Sequence, residues 1–459
     1  MFQCKIREKN IDTEEEKTEM NRKSSGSPPS KKKLQFQRAN IGNLLASRRL
    51  DERDVRIQAF AVANRTMIAA TMEGTLRRSK FSSTRVEEFA LPRIGTTKTI
   101  LESADMVPAT KVHRVFVDPT GSHVVLSTVS GSIYYLHADS IALKPISGLH
   151  GDIRVESLSW DRGMLTPQCT GPVLLGTNQG SLYMFEIKSN GELLPISLLF
   201  RLDITSPIDS IKFERFPDNP KRLYVMCATT APHRFYEFVG NASNVRNLFE
   251  NYNKNDRLEN FVELPSNINR TELHFFGRLI GQSESFAMLT DIGIYHGNLS
   301  FGTRERVVCD ETFMYFHDDE DMEEDIPISI AMTEFHFLLL YQNEVVIRSR
   351  LSPQTIISKQ RLVQDEFLYR LVMDPSTHEI YAYSSSKVFR LHIKDEARDI
   401  WRLYLQKANQ DPRYFENALQ HCRTVKEREF VANAQAEYHL RAESFVLAAR
   451  YFARTSLPL

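Results

Sequence analysis

The chain has no paired cysteines, no long apolar run and no surplus of either charge. Its five cysteines (Cys4, Cys169, Cys227, Cys309 and Cys422) are scattered, odd in number and never in a C-x-x-C pair. That pattern argues against a disulfide framework and against a zinc ribbon or finger. No apolar stretch approaches the ~18 residues of a membrane span. The start, Met1 to Arg7, lacks the apolar core of a signal peptide. A cytosolic chain is expected, and the N-x-S/T sequons at Asn64, Asn241, Asn269 and Asn298 read as chance. Lys plus Arg and Asp plus Glu both total 58, so the basic surplus of a nucleic-acid binder is missing. Also absent are G-x-G-x-x-G, G-x-x-x-x-G-K-[ST], G-x-S-x-G and H-E-x-x-H, and the 13 histidines are spread singly. No catalytic, cofactor-binding or metal-ligating residue is expected, and no cofactor.

What is present falls into three regions. Residues 1–50 are rich in Lys, Arg, Glu and Ser and read as a disordered N-terminal tail. Their Lys31–Lys33 cluster reads as part of a solvated tail.

Residues 51–395 read as short strands separated by turn residues. A fragment T-x-x-G-[ST]-apolar recurs at Thr71–Leu76, Thr128–Ile133 and Thr177–Leu182, each time between apolar strands. Gly74, Gly131 and Gly180 supply the positive φ of a tight hairpin. Thr290-Asp-Ile-Gly293 keeps the turn without the following hydroxyl, and weaker copies end at His233, Glu344 and Ser386. The turns recur at about fifty residues, the length of a propeller blade. Val115–Thr120 and Leu371–Ser376 echo each other ahead of the second and seventh hairpins. The expected fold is mainly β: a β-propeller outside the WD-repeat class, counted as seven-bladed, with six or eight blades as alternatives because three of the seven copies are weak. Trp160-Asp161 precedes its hairpin and is read as coincidence. The acidic run His317–Asp325 lacks EF-hand spacing and reads as a solvated loop between blades.

Residues 396–459 switch to helical period and read as the first helical hairpins of an α-solenoid. Ala397, Trp401, Tyr404 and Ala408 share a face, as do Phe415, Ala418, Leu419 and Cys422, and then Phe445, Ala448, Ala449 and Phe452. Asp411-Pro412 reads as a helix start, and Thr424 with Glu427 as a capping box. Trp401 and Tyr404 are expected at the junction of ring and solenoid.

Thr333–Leu340, Val388–Ile393 and Glu396–Leu405 closely resemble the deep orange family of class C vacuolar sorting subunits. Gly121–His123, Val155–Trp160, Thr170–Thr177, Glu263–Asn267 and Arg428–Phe452 are similar to it as well, so the resemblance runs from about 55 to 455. It implies a non-catalytic scaffold subunit shared by the HOPS and CORVET tethering complexes. Such a subunit serves endosome-to-lysosome (vacuole) traffic, vesicle docking and autophagosome fusion. The implied partners are the other class C subunits and, through the complex, SNAREs or Rab-linked subunits. The implied location is the cytosolic face of late endosomes and lysosomes, and of early endosomes. Members of the family continue to a longer solenoid and a C-terminal RING zinc domain, so the resemblance also implies a chain cut short after the first solenoid helices. Two alternatives stay open: a clathrin-like coat scaffold, and a propeller enzyme with a site in the central channel. Clustered Asp, His or Arg at the ring's centre would favour the second.

Overall fold

The recurrent Thr-x-x-Gly segments are the central turns of four-stranded antiparallel sheets, and seven such sheets make up the ring. The computed structural model describes residues 34–38, 55–81, 83, 85–92, 110–149, 151–253, 260–265, 271–302, 306–316, 326–352 and 356–455. From the channel outward each blade has strands a, b, c and d. The a strands of blades 1 to 7 are Ile57–Ala63, Val112–Val117, Val155–Trp160, Ile208–Phe216, Glu272–Phe276, Ser329–Met332 and Leu368–Met373.

The turn chemistry explains the repeat. Gly74, Gly131 and Gly180 hold φ of 83°, 85° and 68°, a region that L side chains enter only at a cost. The leading Thr caps the turn with its hydroxyl. Thr71 Oγ1 accepts from the Thr75 amide (3.2 Å), Thr177 Oγ1 accepts from the Ser181 amide (3.2 Å), and Thr128 Oγ1 donates to the Ser132 carbonyl (3.1 Å). The residue after that Thr ties the turn to the lead-in of its own a strand. Met72, Val129 and Asn178 donate to the carbonyls of Arg56, Lys111 and Arg154. Gly293 differs: it is not among the glycines at positive φ. It opens the c strand of blade 5, where an added Cβ would run into the Met314 carbonyl. Its restriction is close approach of backbone, and Thr290 still caps the turn, accepting from the Gly293 amide at 3.2 Å.

Seven apolar clusters fill the seven gaps between neighbouring blades. Between blades 4 and 5, for example, Phe235 stacks on Phe286 with ring centroids 4.9 Å apart. Between blades 3 and 4, helix α1 (Val245–Asn253) inserts Leu248 and Phe249. Each buried side chain of this size is worth ~1.5–3 kcal/mol, so every sheet is stabilised from both faces.

Closure of the ring corrects the expected boundary. Leu34–Arg38 is the d strand of blade 7, antiparallel to Val388–Ile393, with Leu34 opposite Ile393 and Arg38 opposite Phe389. The ring therefore spans Leu34–Lys394, and residues 1–50 are not wholly a tail. A five-residue strand set in charged flanks leaves little local signal, because its partner lies at the other end of the domain. The rest of 1–50, including Lys31–Lys33, lies outside the described residues, as does the acidic run 317–325.

Trp160-Asp161 has a structural role after all. Asp161 is buried at the turn between strands a and b of blade 3, where it pairs with Arg215 (2.5 Å) and accepts from the Gly163 amide. Asp118 and Asp374, from the two echoed segments, occupy the same place in blades 2 and 7. Asp374 accepts from the Asn64 and Arg65 amides of blade 1 at 3.0 and 2.9 Å, pinning the last blade to the first.

The helical unit contains α2 (Ile400–Ala408), α3 (Tyr414–His421), α4 (Val425–Arg441) and α5 (Phe445–Phe452). The expected capping box starts α4: Thr424 Oγ1 accepts from the Glu427 amide, and Glu427 accepts from the Thr424 amide at 2.9 Å. Asp411 starts a lead-in turn instead of capping directly, because α3 begins at Tyr414. Trp401, Ala408, Phe415, Ala418, Cys422 and Val431 form the core of this unit, with Tyr404 packed against them. No helix among the described residues is long and apolar enough to cross a membrane.

Candidate functional site: the central channel

The a strands carry a shared irregularity. In blades 1, 2, 3, 4 and 7 the pairing of strands a and b slips by one residue just after the first position, at Gln58, His113, Glu156, Asp209 and Tyr369. A β-bulge bends its strand and re-aims the side chains beside it. Here it brings polar groups to the wall of a cavity of about 420 Å³ at the ring's centre, lined by the a strands of blades 1, 2, 3, 4, 5 and 7. A second space of about 270 Å³ shares Phe116, Leu158, Arg162 and Lys212 with it.

The inner edges of the a strands are satisfied across the gaps. Gln58 Oε1 accepts from the Val112 amide, Ser210 Oγ from the Leu273 amide, Ser329 Oγ from the Leu371 amide, and Glu272 Oε2 from the Ile330 amide. One side chain from each of blades 1, 4, 5 and 6 thus takes the place of a missing neighbouring strand.

The charges are arranged in pairs. His113 Nε2 lies 2.6 Å from Glu156 Oε2, and Arg154 holds the other oxygen at 2.7 Å. Arg370 meets Glu272 at 2.8 Å and Lys212 meets Glu214 at 2.8 Å. The Arg114–Asp209 pair is looser, at 3.6 Å. Burial, then repulsion by Arg370, push Arg114 down to about 10. Burial pushes Asp209 up to about 6, with Arg114 opposing. Burial also pushes His274 down to about 4, although Glu272 favours its charged form. Its Nδ1 is buried with no hydrogen-bond partner among the described residues. Glu156 ends below its ordinary range: burial raises it, but His113 and Arg154 outweigh that. Among the described residues no group of three or more His, Cys, Asp or Glu is placed to hold a metal ion.

The residues singled out from sequence do not converge here. Gly74, Gly131, Gly180 and Gly293 belong to turns of four different blades, and Trp401 and Tyr404 pack inside the helical unit. The channel residues went unrecognised because each stands alone in its strand. The available signal was a charge breaking an otherwise apolar strand ahead of each hairpin, as at Arg114, Glu156 and Arg370.

Comparison with known proteins follows the same division of the chain. Residues 34–393 match the model of the Pep3/Vps18/deep orange beta-propeller domain, and residues 393–459 match that of the first half of the VPS18 alpha-solenoid domain. The first match begins at the strand that closes the ring. "Vacuolar sorting protein 18" of Arabidopsis thaliana is 30% identical over 417 residues, covering 87% of this chain and 40% of that protein. "Vacuolar protein sorting-associated protein 18 homolog" of Danio rerio is 29% identical, covering 75% and 36%. The Caenorhabditis elegans protein of the same description is 25% identical, covering 88% and 42%. The chain spans about two fifths of the length of these relatives.

Proposed function

The chain belongs to the Pep3/Vps18/deep orange family, and we propose that it is a non-catalytic scaffold in vacuolar sorting, acting within tethering complexes of the HOPS and CORVET type. The supporting observation is the order of parts: a closed propeller over the family's full propeller match, then the opening helices of its solenoid. A ring whose blades are locked by buried clusters presents rigid loops on two faces, and stacked helices extend a surface for further subunits. The proposed partners are the other class C subunits, with SNAREs and Rab-linked subunits reached through them. The proposed location is the cytosolic face of endosomes and lysosomes, held there through partners.

The ring's centre does hold clustered Asp, Glu, His and Arg, the feature that an enzyme with a channel site would need. Their arrangement favours a structural or binding role, because Glu156, Glu214 and Glu272 are taken up by cations and backbone amides, and the remaining carboxylate, Asp209, faces Arg114 at 3.6 Å. A general base needs a free acceptor within reach of a substrate proton.

The test is affinity purification of this 459-residue chain beside one extended through the length of its relatives. Recovery of class C subunits by both places assembly contacts in the ring and first helices. Recovery by the longer chain alone places them beyond residue 459, and recovery by neither removes the proposal.

A further inference from the structure

Four cations line the central cavity, Arg114, Arg162, Lys212 and Arg370, against two carboxylates, Asp209 and Glu272. Glu214 neutralises Lys212 from behind the wall and is itself saturated, accepting from Tyr224 Oη, the Ser283 amide and Ser283 Oγ as well. Glu272 is divided between Arg370 and the Ile330 amide. Arg162 has no ion pair or hydrogen bond among the described residues, and it lines both channel spaces.

The cluster is therefore short of negative charge in a confined, partly desolvated space, where like charges repel more strongly than in water. The geometry locates the shortage. Arg370 disfavours the charge of Arg114, and Arg162 disfavours that of Lys212. The orphaned His274 Nδ1 marks a polar position on the same wall that nothing among the described residues satisfies.

We propose that the central channel is a binding site for a phosphate-class polyanion, held by Arg114, Arg162, Lys212 and Arg370 with His274 Nδ1 as a further hydrogen-bonding contact. A single carboxylate would offset one charge only. A phosphoryl group offers several acceptor oxygens to several guanidinium forks at once. The volume, about 420 Å³, suits a small phosphorylated molecule or an inserted headgroup. This inference does not rest on the tethering role and stands or falls separately.

The test uses the full chain and inorganic pyrophosphate, followed by calorimetric titration against sodium chloride of matched ionic strength. The Arg162→Gln variant removes a side chain with no hydrogen bond or ion pair among the described residues, so its fold should be kept, which circular dichroism checks. Arg201→Gln, on an exposed outer strand, serves as the control. Saturable binding that weakens at least tenfold in Arg162→Gln and is unchanged in Arg201→Gln is the expected result. Flotation with phosphoinositide vesicles, against phosphatidylserine vesicles of equal charge, then separates the sources. Vesicle binding with the same Arg162 dependence assigns a lipid headgroup, and pyrophosphate binding without it assigns a soluble ligand. No saturable heat beyond matched chloride, or equal loss in both variants, overturns the proposal. Binding of an Asp/Glu-rich peptide with no response to pyrophosphate overturns it too.

Discussion

The ring and the helical unit bury apolar surface by opposite means. In the ring every blade has a neighbour on both faces, and the circle is completed by a strand from the other end of the chain. The helical unit is a row, and its far element, α5, keeps only Ala448 fully buried. Phe445 is 64% exposed although it shares the spacing of a packing face with Ala448, Ala449 and Phe452, and Val446 beside it is 85% exposed. A closed architecture satisfies all its repeats together, whereas a row always has an end repeat with one face unmatched. The same apolar periodicity therefore goes with buried side chains in one region and with exposed ones at α5 in the other.

The largest test of this contrast is removal of residues 1–38. It leaves Val388–Ile393 as a bare edge and deletes five paired positions. At about 1 kcal/mol per backbone hydrogen bond, the ring should lose roughly 3–5 kcal/mol. Urea unfolding reads this directly, and an unchanged midpoint would show that closure adds nothing. The helical unit's own amide-exchange pattern should not change.

Next in size is Gly180→Ala, which combines a positive φ with a Cβ driven into the Ile204 carbonyl. A loss of about 2–3 kcal/mol is expected, from ~1–2 for the backbone alone plus the displaced neighbour. Gly191→Ala has the same sign of φ (78°) but open space around it, so it should cost only the backbone part. Equal losses at both sites would remove close approach from the explanation.

The channel pair gives a pH test. Asp209, pushed up to about 6, binds its proton more tightly folded than unfolded, so it adds stability as pH falls from 7 to 5. His274, pushed down to about 4, does the reverse: the unfolded chain takes up its proton first, and stability falls over the same interval. Each effect is about 1–2 kcal/mol and they oppose. Asp209→Asn should therefore make the protein more acid-labile, and His274→Asn less so, in melting curves at pH 7 and 5. Identical shifts for both variants would contradict the assignment.

Smaller again, Thr424→Ala should cost about 1 kcal/mol, confined to the helical unit, by removing one arm of the capping box. The mildest perturbation is none at all. In the untouched chain the amides of 443–454 should exchange well before those of Val431 to Ala436, and strong protection across 443–454 in the monomer would mean that α5 needs no partner.

Much of the ring was legible because its signals act over a few residues. The Thr hydroxyl caps a turn four positions away, and Gly74, Gly131 and Gly180 permit it locally. Gly293 was placed in the right turn for an incomplete reason, since its restriction is the Met314 backbone opposite rather than its own φ. Leu34–Arg38 was missed because nothing near it names its partner. The capping box of α4 was legible for the same reason as the turns, whereas the start of α3 shifted by the length of an Asp411 turn.

By itself, then, the sequence determined the kind and order of the units, because φ preference, side-chain caps and apolar period are properties of neighbours in the chain. Only the tertiary structure decided which charges meet. Arg114 and Asp209 are 95 positions apart and Arg370 and Glu272 are 98 apart, and ring closure sets them face to face. The energy of a buried charge depends on what lies within a few ångströms of it, and that distance is set by the fold rather than by the spacing of residues along the chain.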